Sequence, residues 1–422
     1  MEQSSELREE EDLLTRDGDK KGETEPGRIE FSLPMLAIRT KMFSGVFDWL
    51  GALRTSGYIS WGALLVVPFV AGLGLYLVFG SLFTMLWTPA AREIGRELGP
   101  GIYLPLPGIN PYLPLLYGWV ALVVALVVHE GMHGVIARNL RFRVKSSGLL
   151  FFLVIPVGAF VDVDEEQIKR AKPRNSSRIM AAGVGGNIAV AVVCLLCVLA
   201  ITSGLTPVID GVYIFDVEDG MPAQDAGLLA GDVFIRINNI DVVNYEELAE
   251  LLEDKNRGDI LEVTVARGEM WEGNFSTSVE LTEYEGRAVM GVTLGEIMAE
   301  SRLTFYQSLN PDTLSKYLIP PAIAPGLVPF SEALSPFYMH PIGEQWVTLA
   351  DIFFWLWFVN ANVAIFNALP IYPLDGGHLF KIALQKLLGR KTSDKTISRV
   401  TYAVTITLIG VLLLTMALPF IL

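Results

Sequence analysis

The chain has 422 residues, 51% of them hydrophobic, and a mean hydropathy of +0.43. That exceeds the average of soluble proteins and points to the bilayer. A net charge of −14 disfavours nucleic acid or an anionic membrane surface as a partner.

The first thirty residues are acidic and polar. They lack the basic start and apolar core of a cleavable signal peptide and read as a disordered tail. Trp61–Trp87, Gly118–Asn139, Ile179–Ile201 and Val400–Leu422 are each long and apolar enough to cross about 30 Å of hydrocarbon. Trp346–Leu369 is a further span, although it carries Asp351, Asn360 and Asn362. The two cysteines, Cys194 and Cys197, lie inside the third span and read as small packing residues.

The second span holds His129-Glu130-Gly131-Met132-His133. Positions four apart share a helix face, so His129 and His133 can both reach one Zn²⁺. Glu130 then stands beside the metal, where it can take a proton from water. The competing reading is two buried histidines bonded to neighbours. Against it, ionisable groups at membrane depth are costly unless they serve a function.

Two connections are basic. One carries Arg138, Arg141, Arg143, Lys145, Lys169, Arg170, Lys172, Arg174 and Arg178, and the other Lys381, Lys386, Arg390, Lys391, Lys395 and Arg399. The positive-inside rule puts both in the cytoplasm. The N-terminus is then cytoplasmic, the site lies nearer the cytoplasm, and the acidic stretch from Pro207 to Met290 is extracytoplasmic.

That outer stretch is long enough to be a domain. Val212–Val217, Val233–Ile237 and Ile260–Ala266 read as strands, Asp219-Gly220 as a turn, and Ala223–Leu229 and Tyr245–Leu252 as helices. Residues 298–345 are rich in proline and aromatics and fit a surface linker or a re-entrant segment. His340 there reads as an interfacial histidine.

A catalytic zinc usually has three protein ligands and a water. In Asn367-Ala-Leu-Pro-Ile-Tyr-Pro-Leu-Asp375-Gly-Gly-His378, two prolines break the helix near the end of the fourth span, at membrane depth. Such unwinding is tolerated where it lines a cavity. Asp375 at the new helix start is the third ligand on this reading. His378 is its rival, and an N-cap role for Asp375 is the alternative.

His129-Glu130-Gly-Met-His133, the Leu374-Asp375-Gly376 motif after Asn367 and Pro370, and Gly183-Val-Gly-Gly-Asn187 between them together resemble the site-2 protease family of intramembrane zinc metalloproteases, of the prokaryotic, archaeal type. Pro222–Asp241 resembles the core of a PDZ domain, in the place where that family carries one. The resemblance spans Trp61 to Leu422. It implies a polytopic α-helical membrane protein of about five to six spans, with a membrane-associated β-loop at Gly148–Val163 and an inserted α+β PDZ-like domain. It implies one Zn²⁺ on His129, His133 and Asp375, Glu130 as general base, and Asn187 and Asn367 holding the substrate backbone.

The expected layout is a tail and interfacial segment at 1–56, a first membrane part at 57–205, the PDZ-like domain at 206–297, the linker at 298–345 and a second membrane part at 346–422. The expected activity is hydrolysis of transmembrane protein substrates within the lipid bilayer of the cell membrane. In PDZ domains of this type the loop before the first strand captures a carboxylate. Here that loop would be Ile209-Asp210-Gly211-Val212, where Asp210 repels one. A prenyl-protein type of membrane protease, or an inactive PDZ-bearing adaptor, are the alternative classes. The former is expected to use a glutamate third ligand, and the latter has no need of an intact His129, Glu130, His133 and Asp375.

Overall fold

A computed structural model describes residues 29–32, 35–40, 43–103, 106–152, 155–297, 300–308, 310, 315–389 and 392–422. The expected disordered tail falls almost wholly outside these. Five helices are long and apolar enough to cross a membrane: α2 (Arg54–Trp87), α4 (Leu115–Asn139), α5 (Pro173–Thr202), α7 (Gln345–Ala368) and α9 (Asp394–Ile421). All five expected spans form. Several run past the predicted ends, because backbone hydrogen bonding carries a helix into polar sequence beyond the hydrocarbon. Shorter helices α1 (Ser44–Ala52), α3 (Pro89–Leu98), α6 (Tyr245–Glu253) and α8 (Asp375–Leu388) complete the set used below.

The chain divides into two compact units. The first holds residues up to Pro100, Val120–Val190 and Val359–Leu422. In it β1 (Ile29–Ser32), β2 (Met35–Thr40), β3 (Val144–Phe152) and β4 (Ile155–Val163) make an antiparallel sheet in that order. The expected β-loop is therefore a hairpin of β3 and β4, extended by two N-terminal strands. Those strands correct the reading of 1–56 as only a tail and interfacial segment. Arg39 of β2 pairs with Gly148 of β3, and Ser147 pairs with Val161 of β4.

Two apolar clusters brace this unit. Phe47 of α1, Ile136 of α4, Val144 and Val163 of the sheet, and Ile179 and Ala182 of α5 pack together. Ala63, Val67 and Val70 of α2 meet Ala181 and Val184 of α5 and Ala364 and Ala368 of α7. The second cluster is built of small residues, as suits helices packing where lipid supplies no hydrophobic drive.

The second unit holds Gly101–Trp119 and Ala191–Phe358. Its sheet runs β8 (Gly273–Glu280), β7 (Ile260–Arg267), β6 (Val233–Ile237), β5 (Val212–Val217), β9 (Val292–Glu296), with a short strand Ile240–Asp241 on β6. Leu248 of α6, Phe234, Ile237, Val263, Val265 and Val279 form its dry core. Each such side chain contributes about 1.5–3 kcal/mol by burial.

β5 is flanked by β6 and β9, so it has no free edge. That corrects the expected ligand loop at Ile209–Val212, because the edge strand on that side is β9, supplied from the C-terminal end of the module. Among the described residues between the module and α7, the longest helix is Glu300–Gln307, too short to span. No sixth helix long enough to span is found there among the described residues. Phe337 instead packs between Tyr213 and Trp271, at 4.7 and 4.6 Å between ring centres.

Candidate metal centre and active site

His129 and His133 lie one turn apart on α4 and present their Nε2 atoms to one point. Asp375 Oδ2 lies 3.1 Å from the first and 3.2 Å from the second. All three side chains are largely buried. Among the described residues these three form the group able to hold a metal ion. Ligands about 2.0–2.2 Å from a tetrahedral centre lie about 3.3–3.6 Å apart, close to this spacing. Asp375 Oδ2 is buried and makes no hydrogen bond. A buried carboxylate oxygen left so is costly, and a cation at the convergence point would satisfy it. Two imidazoles and one carboxylate with one side left open are a zinc donor set.

Local sequence explains how Asp375 arrives there. Pro370 and Pro373 forbid continuation of α7, and α8 starts at Asp375. The N-cap is Leu374, without a side-chain cap bond, so Asp375 is free to face the histidines. Gly376 and Gly377 are buried against the backbone of residues 368–372. A Cβ at Gly377 would lie 2.5 Å from Ile371 carbonyl atoms, so only glycine lets α8 turn back this closely. His378 packs its ring on Tyr372, 4.8 Å between centres, and is outside the metal group. His340, in the other unit, accepts a hydrogen bond from the Ile342 N–H at 3.1 Å and is also outside it.

Glu130 faces the same cavity, of about 660 Å³, with Arg39, Phe160, Val161, Asp162, Asn367 and the three ligands on its walls. Its Oε2 accepts from the Val161 N–H of β4 at 3.2 Å. Among the described strands β4 is the end of its sheet, and its open edge faces Glu130. Asn367 lines the cavity and donates to the Val363 carbonyl at 2.9 Å. Asn187 does not line it: the side chain is wholly buried against His129.

Sequence reasoning missed Arg39. Its guanidinium lies 3.7 Å from the Asp162 carboxylate and 4.9 Å from the Phe160 ring centre. The short apolar run Met35–Ile38, followed by Arg39 and Thr40, was the available signal for its strand.

Residues 117–411 match the model of peptidase family M50. The chain is 24% identical over 377 residues to an uncharacterized protein of Methanocaldococcus jannaschii, covering 86% of this chain and 84% of that one. It is 27% identical over 184 residues to the zinc metalloprotease RasP of Shouchella clausii, covering 42% and 44% respectively. The PDZ domain of an SdrC-like protein from Listeria monocytogenes aligns with 30% identity and a TM-score of 0.19, covering 20% of this chain and 88% of that one. A family match over most of the chain, on a site whose donors converge as a zinc peptidase requires, leads to one conclusion: the chain belongs to peptidase family M50, the site-2 proteases, and is a multi-pass membrane zinc metalloprotease.

Proposed function

We propose that this protease hydrolyses peptide bonds of transmembrane helices after they unwind onto the open edge of β4. The observation that carries the reading is the Val161 N–H at Glu130. It puts a sheet edge beside the general base. Strand backbone groups alternate, so Ala159 turns its N–H to the same edge as Val161. A helix hides its peptide groups, and an extended segment paired to that edge would expose one to the site.

His129, His133 and Asp375 would hold Zn²⁺, which when bound supplies a Lewis acid for the scissile carbonyl and lowers the pKa of water. Glu130 takes the proton of the attacking water and passes it to the leaving amine. The Asn367 amide, on the cavity wall, is placed to hold the substrate backbone. A second cavity of about 1110 Å³ is lined by Trp61, Val67 and Ala71 of α2 and by Gly376, Leu379 and Phe380 of α8. The charge bias supports a cytoplasmic N-terminus and an extracytoplasmic module.

The test compares cleavage of one membrane substrate carrying its Gly, Asn or Pro helix breakers with the same span rebuilt in leucine. The breakers should cleave faster, because they lower the cost of unwinding. Equal rates would remove the unwinding step. Ala159→Pro deletes an edge donor and should slow cleavage at unchanged zinc content. Glu130→Gln should keep zinc and lose about 10²–10⁴-fold in rate. For orientation, a cysteine at Glu250 should react with impermeant reagent from outside cells and one at Lys386 should not.

A further inference from the structure

Ile179, Gly183 and Asn187 recur every four residues on α5 and so share one face. That face backs both metal-ligand histidines. The Ile179 carbonyl oxygen lies 2.7 Å from His133 Nδ1. A Cβ at Gly183 would lie 2.6 Å from His133 Nε2 and 2.7 Å from His129 Nε2, so the helix backbone touches both rings. The Asn187 amide lies 3.5 Å from His129 Nδ1. Each imidazole meets Asp375 through Nε2, while Nδ1 of His133 meets Ile179 and Nδ1 of His129 meets Asn187.

An imidazole that gives Nε2 to a metal keeps its proton on Nδ1 and donates from there. His133 has a carbonyl to receive that proton. For His129 the facing group is the Asn187 amide, which offers oxygen or nitrogen according to a half-turn about its terminal bond. With Nδ2 toward the ring, Oδ1 is buried without a partner. The half-turn brings Oδ1 to Nδ1, giving both groups a partner.

We infer that Asn187 is a positioning residue for the metal centre: its Oδ1 accepts from His129 Nδ1–H and fixes the tautomer and ring plane that aim Nε2 at the zinc. This rests on the zinc assignment to His129, His133 and Asp375. It displaces the role of substrate holder, which needs an exposed amide, and Asn187 is 0% exposed. Asn367, on the cavity wall, keeps that role. One face of α5 then serves the site three ways: a carbonyl for one ligand, room for both rings, and an amide for the other ligand.

The experiment measures zinc affinity of the purified full chain by competition with a chromophoric chelator, and the ligand-field spectrum after Co²⁺ substitution. Asn187→Leu and the smaller Asn187→Ala should each weaken zinc about 10–100-fold and shift the cobalt bands, as loss of a ligand's outer partner does. Asn187→Asp presents only oxygens and should hold zinc at least as tightly as the native chain. Native affinity in both Asn187→Leu and Asn187→Ala, with only KM raised, would overturn the inference. So would equal weakening in Asn187→Asp and Asn187→Ala. Asp375→Ala, in the same assay, tests the site itself. If it holds zinc normally the metal assignment fails, whereas if it alone loses zinc only the role of Asn187 fails.

Discussion

Two aspartates with buried carboxylate oxygens, one in each unit, meet opposite ends. Asp232 of the second unit is 2% exposed and fully provided for. Arg267 grips both its oxygens, Nε to Oδ1 at 2.7 Å and Nη2 to Oδ2 at 2.6 Å, and the Leu229 N–H adds a third bond. The guanidinium in turn lies over the Phe275 ring, 4.0 Å to its centre. Asp375 of the membrane unit has two imidazole nitrogens nearby, yet its buried Oδ2 makes no hydrogen bond. A satisfied buried charge belongs to the scaffold. An under-satisfied one, kept at membrane depth, belongs to the reaction.

Asp375→Asn is the sharpest way to break the comparison. The amide keeps the size of the carboxylate and removes the charge that draws the metal. Zinc content should fall toward zero. Cleavage should fall by at least about 10³-fold, since the metal supplies several kcal/mol to the transition state. Without zinc, the variant should melt no lower than the metal-stripped native chain, because an unpaired buried charge has been removed. A lower melting point would make Asp375 part of the scaffold after all.

The matching change in the module is Arg267→Met. It leaves Asp232 buried and unpaired, and should cost about 3–5 kcal/mol of module stability. Hydrogen exchange at Val263 and Val265 would report that loss. Zinc content should not move. A loss below about 1 kcal/mol would mean that Asp232 is not held by its partner.

Two glycines near the site should part company next. Gly183→Ala puts a methyl 2.6–2.7 Å from atoms of both ligand rings. The rings must shift, at about 1–3 kcal/mol of overpacking, with weakened zinc. Gly131, inside the His-Glu-Gly-Met-His motif itself, has nothing within 4 Å of its Cβ position. Gly131→Ala should therefore keep zinc and cleavage. Equal damage from both would show that the motif glycine is needed for something other than space.

The site was legible where spacing alone carries chemistry. His129 and His133 share a face by helical period, and the prolines before Asp375 announce a break at membrane depth. The five spans were legible because long, mostly apolar runs need no knowledge of partners. Non-local pairing was not. Arg39 reaches Gly148 across more than one hundred residues, and nothing in the short run Met35–Thr40 names its partner. The sheet order of the module was hidden for a related reason. Its edge strand β9 follows the rest of the module in sequence, so chain order misleads about sheet order. The burial of Asn187 depends on how α5 crosses α4, which a glycine-rich run permits but does not specify.

The smallest expected effect probes the packing rule that separates the two units. In the module, size goes inward: Phe234 is 1% exposed, and its loss to alanine should cost about 3–5 kcal/mol. On α2 the order is reversed. Phe69 is 73% exposed, while Ser60, Ala63, Val67 and Gly74 face neighbouring helices. Phe69→Ala exchanges a side chain that the protein barely touches, so stability in lipid nanodiscs should change by no more than about 0.5 kcal/mol. Gly74→Ala, a far smaller change in volume, should cost more. Its methyl would lie 2.9 Å from Leu369 Cδ2 and 3.1 Å from Ile365 Cγ2, on the stretch of α7 that leads to Asp375. If Phe69→Ala proved the costlier of the two, α2 would need a protein partner over that exposed face, and its large side chains would be packing residues rather than lipid-facing ones.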